Sequence, residues 1–200
     1  MRYLSSFIII AIVLFSSCKK GDTDTSPTPM FASDFPTTVG SQWVYKRTDS
    51  LWHVVDTLTV KIIEDATSPN SQPTKMWQLV HNNRIDTTYY MIVADTALVC
   101  VANFNFYTQK LAFPYDVGKT YSNGAFYNTI LDRSDIVVSN VLFSKTFHTY
   151  YSYELIEYSF KQESWVEKRV GIVKQHTTAS SWDTGSSANY TIELLSTNIR

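Results

Sequence analysis

The chain of 200 residues is poor in the residue types that support most catalytic and metal-binding sites. It has two cysteines, six glycines and four histidines. The glycines form neither G-x-G-x-x-G nor G-x-S-x-G, so the sequence offers no phosphate-binding loop and no nucleophile turn of a serine hydrolase. Cys100 has apolar neighbours, which is typical of a small buried side chain rather than of a reactive thiol.

Charge of one sign is not in excess either. The chain carries 17 basic and 18 acidic residues, a formal net charge of −1, and it has no run of basic residues. Proteins that bind nucleic acid cluster lysine and arginine on one surface. We therefore predict that nucleic acid is not a partner.

The ionisable side chains form no recognisable catalytic or metal-binding pattern. Four histidines stand isolated in the sequence, without an H-E-x-x-H motif: His53, His81, His148 and His176. A metal needs three or four converging ligands, so we predict no metal and no cofactor. Glu154 and Glu157 would point to opposite faces of a strand, and Glu163 and Glu167 would lie about 13 Å apart, too far for a glycosidase pair. The chain is therefore predicted not to be an enzyme.

Long hydrophobic runs are absent as well. The longest, residues 7–15, has nine apolar residues, and a membrane-spanning helix needs roughly 20. Ser16 and Ser17 follow the run and precede Cys18. This order predicts a signal peptide over residues 1–17 and acylation of the Cys18 thiol, with an ordinary secretory signal as the alternative.

The same segment resembles the lipobox of bacterial lipoproteins. Leu14 and Phe15 stand on its apolar side, Ser17 comes just before the cleavage point, and Cys18 is the acceptor. The family prefers leucine where this chain has Phe15. The resemblance implies fatty acyl groups such as palmitate on Cys18, which would hold the protein on a membrane.

Residues 18–31 are predicted to be a flexible tether, because residues 19–29 contain no apolar side chain. Lys19 stands where an aspartate would be the usual inner-membrane retention signal, so the resemblance implies the outer membrane. The face of that membrane stays open. The remaining residues, 32–200, suit a single domain with a sizeable core.

Period-two alternation and many β-branched and aromatic residues predict strands throughout this domain. About twelve are expected, over residues 41–48, 57–64, 75–81, 87–93, 97–102, 105–113, 125–131, 136–143, 146–160, 164–168, 172–178 and 189–196. Turn-forming residues separate several of them, including Asn82-Asn83 and Ala94-Asp95. The predicted fold is all-β: an antiparallel meander that forms a curled sheet, a half-barrel or a sandwich.

An internal repeat divides the domain. Phe35-Pro36-x-x-Val39-Gly40 returns 78 residues later as Phe113-Pro114-x-x-Val117-Gly118, and an aromatic residue, Trp43 or Tyr121, follows each copy. Proline and glycine at these spacings indicate a corner where a strand begins. The repeat predicts two similar units, residues 35–112 and 113–190.

With the lipobox and the polar tether, the motif at residues 35–45 and the late Val170-Gly171-Ile172-Val173 resemble a group of uncharacterised bacterial outer-membrane lipoproteins. The resemblance implies an all-β mature domain. It implies no established catalytic residue, and none is assigned from it.

Aromatic residues are plentiful, with five tryptophans and thirteen tyrosines. Trp43, Tyr121 and Trp182 are the predicted ligand-binding residues, although an aromatic side chain after a tight corner often only fills the end of a curled sheet. The favoured function is a non-catalytic, lipid-anchored binding or carrier protein for an apolar or glycan ligand. The alternative is a structural or assembly accessory that contacts an envelope protein partner.

Overall fold

The structure is a computed structural model that describes residues 28–68, 71–102, 106–123, 126–181 and 184–200. Within this part of the chain the regular structure is one 3-10 turn, Ala32–Asp34, and β-strands. The strands are β1 Gln42–Asp49, β2 Val54–Thr67, β3 Pro73–His81, β4 Arg84–Val93, β5 Ala97–Ala102, β6 Phe106–Ala112, β7 Thr120–Asn123, β8 Phe126–Val138, β9 Val141–Glu154, β10 Tyr158–Glu167, β11 Gly171–Ser181 and β12 Ser187–Asn198. No helix of the described part is long and apolar enough to cross a membrane.

All twelve strands belong to one antiparallel sheet. Its order is β6-β5-β4-β3-β2-β1-β12-β11-β10-β9-β8-β7, so the first and last strands of the domain meet in the middle of the sheet and β6 and β7 are its edges. This arrangement confirms the prediction of an all-β meander that forms a curled sheet. Each consecutive pair of strands reverses direction, which places successive turns at alternate ends.

Two of the predicted strands are wrong, because each spans a tight turn. The run over residues 136–143 is broken by Ser139 and Asn140, whose φ angles of 49° and 66° form the hairpin between β8 and β9. The run over residues 146–160 breaks at Leu155, where Leu155 and Tyr158 exchange backbone hydrogen bonds. Apolar residues flank the first turn on both sides and continue through the second at Leu155-Ile156, which conceals both reversals.

The two corner motifs have the same backbone geometry. Gly40 and Gly118 have φ angles of +89° and +84°, values that favour glycine. The Gly40 N–H donates a hydrogen bond to the carbonyl of Ile62, and the Gly118 N–H donates one to the carbonyl of Ile130, each over 2.8 Å. Ile62 and Ile130 are both fully buried. However, the sequence separation between these two isoleucines is smaller than the separation between the two corners. The corners therefore correspond, and the duplication of whole units stays a prediction.

The segment before β1 closes one end of the curled sheet. Met30, placed in the predicted tether, is fully buried and exchanges backbone hydrogen bonds with Tyr115 over 3.2 and 2.7 Å. Phe35 packs on Trp77 with a ring-centroid distance of 6.5 Å. We call this the corner end, and the opposite end, which carries the β1–β2 and β9–β10 turns, the hairpin end.

Candidate ligand-binding site

The inner face of the sheet contains a cavity of about 180 Å³. It lies where β1, β2 and β3 face β10, β11 and β12 across the interior. Its walls are mostly apolar and aromatic: Phe35, Trp43, Tyr45, Leu58, Val60, Trp77, Leu79, Tyr90, Leu111, Gln162, Ile172, Gln175, Tyr190 and Ile192. Alternation along each strand sends every second side chain to this face, as the sequence pattern requires.

Stacked aromatic rings form one wall of the cavity. Trp43 lies nearly parallel to Trp77, with centroids 5.4 Å apart and an angle of 9° between the ring planes. Tyr90 adds a tilted contact to Trp77 at 4.8 Å. Parallel and tilted packing of this kind is a preferred geometry of aromatic pairs. The wall is therefore flat, rigid and suited to an apolar ring or chain.

Hydrogen bonds across the interior hold this wall in place. Trp43 Nε1 donates to the carbonyl of Val170 over 2.7 Å, and the Tyr45 hydroxyl donates to the carbonyl of Ile172 over 3.0 Å. Burial raises the pKa of Tyr45, so its phenol stays protonated and keeps donating. The two bonds tie β1 to the β10–β11 turn and to β11. A ligand would meet a surface that is already ordered.

One polar group of the wall has no partner. Trp77 is buried and its Nε1–H makes no hydrogen bond within the described residues. An unpaired buried donor costs about 1–3 kcal/mol, so a ligand that accepts from it would remove a penalty of the free protein.

Two amide side chains, Gln162 and Gln175, form part of the opposite wall. Gln162 donates to the hydroxyl of Ser164 over 3.2 Å, and Gln175 donates to that of Thr177 over 3.0 Å. Gln162, Ser164 and Thr177 are buried. Buried amides that are fixed in this way can orient a ligand whose body is apolar.

A charged cluster stands beside the cavity toward the hairpin end. Arg47 pairs with Asp49 at 2.8 Å and with Asp56 at 3.4 Å, and His81 approaches Asp56 to 2.7 Å. The Arg47 guanidinium lies 5.0 Å from the ring centre of Tyr190, which lines the cavity. Because two carboxylates already neutralise Arg47, the cluster braces β1, β2 and β3 rather than attracting an anion.

A second, larger cleft of about 670 Å³ lies near the sheet edges. Its lining joins the β4–β5 turn and the β6–β7 corner to β7, β8 and β9: Thr96, Ala97, Ala112, Phe113, Pro114, Lys119, Thr120, Tyr121, Ser122, Phe126, Asn128 and Tyr151. Its lining mixes polar and apolar side chains, whereas that of the first cavity is mostly apolar.

The sequence-predicted site residues do not come together. Trp43 is in the wall of the first cavity, and Tyr121 is in the second cleft, where its hydroxyl donates to the carbonyl of Pro114. Cys18 and Trp182 lie outside the described residues. The ligand-binding roles of these four residues stay predictions.

Sequence reasoning missed the partners of Trp43. Trp77, Tyr90 and Gln162 belong to three other strands, and only strand pairing brings them beside it. The charged cluster was missed for the same reason, since His81 was considered in isolation. Arg47 and Asp49 on one face of a strand were the only available signal. No group of three or more possible metal ligands occurs in the described residues.

Two solved structures align with most of this chain. A candidate exported protein with a YmcC-like fold from Bacteroides fragilis aligns with 86% of this chain and 100% of its own, with a TM-score of 0.50 and 10% identity. A candidate lipoprotein from Parabacteroides distasonis aligns over the same shares with a TM-score of 0.47 and 14% identity. No protein-family model and no curated protein matches the sequence. Similarity at 10% identity shows the fold, and function has to be argued from the site.

Proposed function

We propose that this protein is a non-catalytic, lipid-anchored binding or carrier protein that holds an apolar ligand on the inner face of its sheet. The observation that carries the proposal is the cavity of about 180 Å³ with its preordered aromatic wall. Trp77 supports it further, since its buried N–H in that wall has no partner among the described residues.

The dimensions of the cavity define the ligand class. Engineered apolar cavities of about 150 Å³ bind benzene, so a cavity of about 180 Å³ fits one aromatic ring or a short stretch of aliphatic chain. A longer molecule would leave the cavity along the inner face. The ligand should carry a hydrogen-bond acceptor for Trp77 and no strong negative charge, since Arg47 is already neutralised.

The proposed location is the outer membrane, through acyl chains on Cys18. The order of apolar run, small residues and cysteine supports it, and the Bacteroides fragilis protein of the same fold is described as exported. Met30 pairs at the corner end, so the tether from the anchor would reach the domain at that end.

Filling the cavity should weaken binding of an apolar probe. We expect N-phenyl-1-naphthylamine to fluoresce when the mature domain is added, with its phenyl ring in the cavity and its naphthalene along the inner face. Leu79→Trp should weaken this binding at least tenfold because the new indole occupies the cavity. Val60→Phe should act in the same way from the neighbouring strand. Fluorescence titration measures the affinity, and circular dichroism checks that the variants are folded.

The control is Trp52→Ala, which removes a tryptophan that is 76% exposed in the β1–β2 turn. It should leave the probe affinity unchanged. If both cavity-filling variants are folded and bind the probe as well as the parent protein, the cavity is not the binding site.

Replacing Cys18 by alanine should release the protein from the membrane. We expect the wild-type protein to fractionate with outer membranes and to carry a mass increase of acyl chains on its first residue, because two or more chains bind stably where one does not. The Cys18→Ala variant should remain as precursor or appear in the soluble fraction. Retention of that variant in the outer membrane, or an unmodified thiol in the native protein, would contradict the anchor.

One observation favours the second candidate, a structural or assembly accessory of an envelope complex. Large apolar residues are exposed on two turns of the hairpin end: Leu51 and Trp52 between β1 and β2, and Leu155 and Ile156 between β9 and β10. Ile156 is 98% exposed. The same variants separate the two functions: in an accessory, Trp52→Ala and not Leu79→Trp would remove the protein from a high-mass complex on native gels.

A further inference from the structure

The second cleft differs in chemistry from the cavity of the proposed function. Three of its side chains form a row on adjacent strands, because Tyr121 of β7 pairs with Asn128 of β8, and Asn128 pairs with Tyr151 of β9. An amide thus lies between two phenol rings on one face of the sheet. All three residues line the cleft.

The amide has an unmet requirement. Asn128 is 5% exposed, and its Oδ1 is buried without a hydrogen-bond partner within the described residues. Such an acceptor lowers stability unless a donor reaches it. Because Oδ1 can only accept, the partner must bring an O–H or N–H group into the cleft.

Aromatic rings beside this acceptor are held in fixed positions. The Tyr121 hydroxyl donates a hydrogen bond to the Pro114 carbonyl. The ring of Phe126 is tilted against that of Tyr151 at a centroid distance of 6.1 Å. Burial and the neighbouring phenols Tyr153 and Tyr158 raise the pKa of Tyr151 to about 12, so its side chain is neutral at physiological pH. The ligand therefore meets flat, uncharged ring surfaces.

These groups suit a hydroxyl-rich ring better than a hydrocarbon. The aromatic rings can pack against C–H faces, the amide oxygen can accept from a hydroxyl, and hydroxyl side chains lie nearby. The volume of about 670 Å³ is within the usual range of small-molecule clefts, roughly 300–1,000 Å³. Thr120 and Ser122 add polar lining. Lys119, whose ammonium lies 5.1 Å from the Tyr121 ring centre, adds one positive charge at the same wall.

We infer that this cleft is a saccharide-binding site in which Asn128 accepts a hydrogen bond from a sugar hydroxyl between the rings of Tyr121 and Tyr151. The site is separate from the cavity behind Trp43 and does not depend on the ligand proposed there. A protein of this design would bind an apolar group and a glycan at two places on one sheet.

The test is Asn128→Leu, which keeps the branched shape of the side chain with a somewhat larger volume and removes the unmet acceptor. We expect the melting temperature to stay the same or rise, and the affinity for saccharide to fall at least tenfold. The probes are maltotriose, diacetylchitobiose and tri-galacturonate, titrated at millimolar concentrations into the 15N-labelled mature domain. At least one should shift the amide signals of β7, β8 and β9 and the Asn128 side-chain amide.

The matched control is Asn189→Leu, since Asn189 also has a buried oxygen without a partner in the described residues but lines neither cavity. It should leave saccharide binding unchanged, as should Leu79→Trp. The inference is overturned if none of the three sugars shifts these signals. It is also overturned if binding survives Asn128→Leu, as it would for an extended peptide that adds to the backbone of the β7 edge.

Discussion

Replacing Trp43 by alanine is expected to lower the free energy of unfolding by about 3–5 kcal/mol, the cost of removing a large buried aromatic side chain. Trp43 is 2% exposed and stacks on Trp77. Its loss would also leave the Val170 carbonyl without the bond to Nε1. For a domain of this size the melting temperature should fall by about 10 °C, which calorimetry or thermal circular dichroism would measure.

Two further variants separate the contributions. Trp43→Phe keeps a ring and loses the N–H, so it should cost less than the alanine variant but more than Trp52→Ala, which removes an exposed tryptophan. If Trp43→Ala and Trp52→Ala had the same melting temperature, Trp43 would not be part of the core. Because Trp43 also lines the cavity, this experiment measures stability and is not a test of binding.

Gly171→Ala should be more damaging than the same change at Gly118. Gly171 has a φ of +93°, and an added Cβ would lie 3.3 Å from Phe35 Cζ, closer than nine in ten real Cβ contacts. A strained backbone costs about 1–3 kcal/mol, and forcing a methyl into a packed core costs about 1–3 kcal/mol more. Chemical denaturation should report the summed loss.

Gly118→Ala isolates the backbone contribution. Gly118 has a similar φ of +84°, but no atom of the described residues lies within 4 Å of an added Cβ. We expect the Gly118→Ala variant to lose only the free energy that a positive φ costs an alanine. It should therefore lose less stability than Gly171→Ala. Equal losses in the two variants would mean that Phe35 does not pack against the β10–β11 turn as described.

Much of the fold followed from local patterns. Alternation predicted the strands, and Asn82-Asn83 and Ala94-Asp95 form turns with positive φ as their composition indicates. The repeated corner motif predicted a shared geometry that Gly40 and Gly118 adopt. The failures were two turns. Apolar residues flank Ser139-Asn140 on both sides, and at Leu155 they run through the reversal itself.

The sequence of this protein determined by itself its class, its strand-forming segments and its corners, because alternation, proline and glycine act within a few residues. Only the tertiary structure decided that β1 lies beside β12 and that Trp43, Trp77 and Gln162 face one cavity. Pairing order depends on contacts between residues far apart in the chain, which no local pattern encodes. The row of Tyr121, Asn128 and Tyr151 arose in the same way, through register between strands.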